Sequence, residues 1–134
     1  MMRSLASLCI VSVALFSNGC DSGPARYGVS GEVTYKGKPV EFGTISFRAD
    51  NGETGAAQIV GGKYSIPGAG GMVEGKYRVA ISYPDPKIPM PNGNELPGEP
   101  QPNREMLPRK YNNESQLTAE VAPKADNVID FKLD

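Results

Sequence analysis

The chain has 134 residues, among them 16 Gly and 12 Pro, and no His or Trp. Its 14 Lys and Arg balance 15 Asp and Glu, leaving a net charge of -1. One small domain is the natural reading at this length. The even charge argues against a nucleic-acid partner, since no run of basic residues is left over to neutralise phosphates. The lack of His removes the commonest acid/base group and the commonest zinc ligand.

The N-terminus reads as a secretory signal over residues 1–19. Arg3 supplies a positive start, Leu5 to Phe16 is an uncharged stretch, and Ser17, Asn18 and Gly19 precede Cys20. The apolar stretch is shorter than the roughly 20 residues needed to cross a bilayer. Gly19-Cys20 resembles the cut site of a bacterial lipoprotein, where the Cys receives a diacylglycerol thioether. Ser17 stands where that box usually carries an aliphatic residue, and Ser17 with Gly19 would also suit an ordinary signal peptidase. Lipid attachment at Cys20 is the expectation, because Cys9 leaves with the signal and an unpaired Cys is otherwise unexpected in a secreted chain. Residues 20–26 then form a lipid-anchor tether of flexible composition. The expected partner of this end is the membrane, held by lipid chains.

Residues 27–134 show period-two alternation and no helical periodicity. The first strand places Val29, Gly31, Val33 and Tyr35 on one face, and Lys36 to Pro39 form a turn. Val40 to Arg48 is the second strand, with a bulge expected at Gly43 because the inward set changes phase between Val40 and Ile45. Asp50-Asn51-Gly52-Glu53 is a turn. Ala56–Val60 and Lys63–Ile66 form a hairpin around Gly61-Gly62. Pro67 to Gly75 is a glycine-rich loop, and Lys76–Tyr83 is the clearest strand. Residues 84–108 carry eight prolines and can be neither helix nor central strand. Leu117–Val121, a turn over Pro123 to Asn127, and Val128–Leu133 complete the chain. Seven strands with frequent turns predict an all-β, seven-strand antiparallel β-sandwich, Ig-like or prealbumin-like. The expected core is Val29, Val33, Val40, Ile45, Phe47, Ile59, Tyr64, Ile66, Tyr77, Val79, Ile81, Leu117, Val121, Ile129, Phe131 and Leu133.

The segments VSGEVTYKGKPVEFGTISF, GGKYSI, EGKYRVAI, LPRKYNNESQLTAEV and NVIDFKL, in that order, resemble small planctomycete-type bacterial lipoproteins with a carboxypeptidase-regulatory-like, or transthyretin-like, domain. The resemblance covers residues 27–134 and implies the fold. It implies a non-catalytic module, and no catalytic residue is carried over. A purine-pathway hydrolase of related fold uses His and a C-terminal Tyr-Arg-Gly-Ser, whereas this chain ends Phe-Lys-Leu-Asp.

Few residues suggest chemistry. Asp50, Asn51, Gly52 and Glu53 lack the spacing of a calcium loop and read as a turn. Ser65, Ser82 and Ser115 have no His or Lys arrangement that would mark a nucleophile. Tyr27, Phe42 and Tyr111 fall outside the inward set and are the aromatics left for a sugar platform. The proline-rich loop 84–108 is the most unusual segment, readable as a binding loop or as a solvated crossover. No catalytic, cofactor-binding or metal-binding residue is assigned. The expectation is a lipid-anchored, non-enzymatic structural or protein-interaction module of the cell envelope, on the inner or outer membrane. The alternatives are a carbohydrate-binding lipoprotein and, less favoured, a hydrolase.

Overall fold

Alternating apolar residues build this domain, and β-strands are what the chain forms. The computed structural model describes residues 23–98, 100 and 102–134. Its strands are β1 (Gly28–Tyr35), β2 (Lys38–Pro39), β3 (Phe42–Arg48), β4 (Thr54–Val60), β5 (Lys63–Ile66), β6 (Gly75–Ser82), β7 (Leu117–Val121), β8 (Asp126–Val128) and β9 (Phe131–Leu133). Short 3₁₀ turns lie at Gly68–Gly70 and Arg109–Tyr111, and no α-helix occurs among the described residues.

Over the described residues the fold is all-β, an open, curled sheet. Seven strands follow one antiparallel path in the order β2-β1-β5-β4-β3-β6-β7. β8 and β9 pair with β1 in parallel, at Gly28–Ser30 and Val33–Tyr35. The last strand therefore departs from expectation twice. It starts earlier, at Asp126 inside the predicted turn, and it runs parallel to its neighbour. Alternation reports which face is buried and carries no information about strand direction. β8 and β9 keep one register along β1. Between them the Ile129 carbonyl lies 1.9 Å from where a side chain at position 31 would begin. Only glycine fits there.

The hairpin turns follow local chemistry. Lys36 and Gly37 both have positive φ, as do Gly61 and Gly62, the geometry that joins antiparallel strands by two residues. Lys38 and Pro39, predicted as turn, pair with Tyr35 and Thr34 as β2. The bulge expected at Gly43 is not formed. β3 pairs with β4 without interruption from Phe42–Val60 to Arg48–Thr54. The phase change occurs instead at Val40 and Glu41, between β2 and β3. Gly43 is required for another reason: the Ser82 carbonyl lies 2.2 Å from where its Cβ would stand.

The expected core residues are buried, except Leu117 and Ile129, which are half-buried and pack against the rest. Met72, Leu107, Tyr111 and Ala119 join them. Rings from non-neighbouring strands meet inside, with Phe47 5.9 Å from Tyr64 and Tyr64 6.4 Å from Phe131. Two buried polar residues are fully engaged. Asn127 accepts from Ala122 N at 2.9 Å and donates to the carbonyls of Gly28, Ala122 and Lys124. Ser115 donates to the Val79 carbonyl and accepts from Leu117 N. Satisfied in this way, they fix loop ends at little cost.

Candidate functional site

The proline-rich segment leaves β6 and returns before the Arg109–Tyr111 turn. Prolines supply no amide hydrogens and hold φ near −65°, so the segment cannot build a ladder along its length. It is tied at its base instead. Glu105 accepts from Ser82 Oγ at 2.6 Å, from Tyr83 N at 2.8 Å and from Leu107 N at 3.1 Å. Met106 N donates to the Tyr83 carbonyl at 2.9 Å, and Asp85 N donates to the Arg104 carbonyl. Pro84 and Glu105 thus face each other as an antiparallel bridge. Leu107 is buried below them, so the base is anchored to the core.

Beyond the base the segment is an arm. Arg104 spans it, donating from Nε to the Ile88 carbonyl at 3.0 Å and from Nη1 to Met90 Sδ. At the tip, Asn92 N and Gly93 N donate to the Glu95 carboxylate at 2.9 and 3.0 Å. The backbone hydrogen bond from Asn92 leads the causes that hold the Glu95 carboxyl below its ordinary pKa. Pro89, Met90, Pro91, Pro100, Pro102 and Arg104 help to line a shallow depression of about 420 Å³. Met90 is 72 % exposed and Leu96 69 % exposed. The arm therefore joins a tied base to an exposed apolar tip.

The other candidates are placed as follows. Cys20 and the signal over residues 1–19 lie outside the described residues. Arg26, assigned by composition to the tether, already bonds the Gly71 carbonyl at 3.0 Å and lies 3.6 Å from Glu53. Asp50 to Glu53 form the turn between β3 and β4, where Asn51 Oδ1 accepts from Glu53 N at 3.0 Å. Among the described residues no group of three or more His, Cys, Asp or Glu converges to hold a metal ion. Ser65 is exposed on β5, Ser82 is bound to Glu105, and Ser115 is buried. The structure does not bring these three serines together.

The expected surplus of aromatics is corrected. Tyr111 is buried, its hydroxyl donating to the Asp134 carbonyl at 3.2 Å and accepting from Asp134 N at 2.9 Å. Phe42 meets Tyr83 edge-on at 5.4 Å, and Tyr27 bridges to Met72. No aromatic side chain among the described residues is exposed. The alternation rule missed Tyr111 because it sits in a 3₁₀ turn.

Sequence reasoning also missed Glu105, whose isolated carboxylate among prolines gives no signal of its three bonds. It missed the cross-strand pair Arg48 and Arg78, which becomes visible only once β3 and β6 are in register. No helix among the described residues is long and apolar enough to cross a membrane. No family model, curated protein or solved structure matches the chain.

Proposed function

We propose that the chain is a lipid-anchored, non-enzymatic interaction module of the cell envelope that engages a protein partner through its proline-rich arm. The observation that carries this reading is the arm itself: a base tied to β6 by Glu105 and a tip that leaves Met90 and Leu96 exposed. Prolines reduce the entropy lost when such a tip orders on a partner. The apolar stretch before Gly19-Cys20 supports attachment by lipid on Cys20.

The fold belongs, in this reading, to the Ig-like or prealbumin-like β-sandwiches, and the chain to the carboxypeptidase-regulatory-like lipoproteins. Two features favour a sandwich. β4 and β5 share only the Val60–Lys63 pair, so the sheet can divide there. The Phe47 and Tyr64 rings meet although β4 lies between their strands in the sheet order. A photoreactive residue in place of Leu96 tests the function. Installed in the full chain in its own cells, it should crosslink to a discrete envelope protein. The same group at Val128, exposed on β8, should not. Equal labelling from both positions would remove the arm from the account.

A further inference from the structure

Charges on the exposed sheet faces are arranged by sign, with one exception. Glu32 stands opposite Lys63 across β1 and β5, with Nζ 3.6 Å from the carboxylate. Lys76 stands opposite Glu120 across β6 and β7. Arg48, by contrast, stands opposite Arg78 across β3 and β6, and both are exposed. Like charges directly opposite each other destabilise a sheet. Neither side chain makes a hydrogen bond or ion pair among the described residues. The row continues with Thr54 beside Arg48 and Thr118 beside Arg78.

A cleft of about 700 Å³ opens over this pair. The neighbouring row Ala56, Ser46 and Ala80 consists of small side chains, which leaves the depression. Asn112 and Asn113 line the cleft from the loop before β7. The Asn112 side chain is held by the Leu107 and Pro108 carbonyls and accepts from Asn113 N, whereas the side-chain amide of Asn113 makes no hydrogen bond among the described residues. The cleft has no acidic lining residue. Glu114, on the adjoining surface, is taken by Arg109 at 3.1 Å.

We propose that this cleft binds a small ligand through an oxyanion group, a carboxylate or a phosphate, clamped between Arg48 and Arg78. Guanidinium forks suit either geometry, and a bound anion relieves the repulsion between the two cations. The free Asn113 amide is placed to donate to the rest of such a ligand.

Thermal unfolding of the domain in inorganic phosphate, in glucuronate, and in chloride of matched ionic strength tests this. One or both oxyanions should raise Tm by about 5 °C over chloride at concentrations well above Kd. Phosphate alone would mark a tetrahedral site, and glucuronate alone a planar one. Arg48→Gln and Arg78→Gln should each abolish the rise while unfolding, without ligand, at the same or a higher temperature than the parent. No rise with either anion would overturn the proposal, as would a rise that persists in both variants.

Discussion

Replacing Glu105 by Ala should loosen the base of the proline-rich arm. Its carboxylate accepts three hydrogen bonds, from Ser82 Oγ, Tyr83 N and Leu107 N. A hydrogen bond to a charged group contributes about 1.5–3 kcal/mol when well shielded. Glu105 is half-buried, so water replaces part of each bond, and a net loss of about 2–3 kcal/mol is expected for all three. The Met106–Tyr83 backbone bond survives the change, so Leu107 stays in the core and the loss should not exceed this range. Glu105→Gln keeps one acceptor oxygen and should lose about 1 kcal/mol. Urea unfolding of the parent and both variants measures the energies, and amide exchange reads the Tyr83 and Leu107 hydrogens directly. Both amides should exchange faster in Glu105→Ala, with exchange in β3 altered only as far as the global loss requires. A loss below about 0.5 kcal/mol with both amides still protected would refute the staple.

Val79 is fully buried on β6, and Val79→Asp places an unpaired charge in the core; cooperative unfolding should disappear from its melting curve. Burial first, and Asp130 second, push the Tyr64 hydroxyl well above its ordinary pKa. The unfolded chain ionises this tyrosine near pH 10 while the folded chain holds the proton, so stability is full below about pH 10 and declines above it. Tyr64→Phe should make that decline shallower in urea titrations across the alkaline range. It should also cost about 1 kcal/mol at neutral pH through the lost bond to the Ile129 carbonyl. Cys20→Ser should abolish incorporation of labelled palmitate and leave the protein outside the detergent phase; equal partitioning of the two proteins would exclude lipid at Cys20.

Much of the fold was legible because one face of nearly every strand is buried. Tyr77, Val79 and Ile81 alternate in the chain and all lie inside. Gly61-Gly62 and Asp50 to Glu53 named their turns through residues that tolerate positive φ or bond their own backbone. What alternation could not report was partnership. The parallel course of β8 and β9 beside β1, and the need for Gly31 and Gly43, arise from backbones that approach across about forty to a hundred positions of chain. Met72 enters the core from an isolated bridge within the glycine-rich loop and Tyr111 from a 3₁₀ turn, where period two does not apply. The proline-rich segment announced itself by composition. Its anchoring by Glu105 did not, since a single carboxylate acquires meaning only from the three donors folded around it.

The central claim is that the arm is a display element carried by a domain that folds without its tip. The most direct measurement replaces residues 89–103 by a short Gly-Ser linker, which leaves Asp85, Arg104 and the Glu105 staple in place. Thermal unfolding of this variant is then followed, together with co-purification from its own envelope of the partner that the Leu96 crosslink identifies in the parent. Closure entropy varies only weakly with loop length, so the melting temperature should stay within about 5 °C of the parent. That partner should no longer co-purify with the variant. A domain that fails to fold would make the segment part of the core, and an unchanged partner on a folded variant would contradict the arm's role.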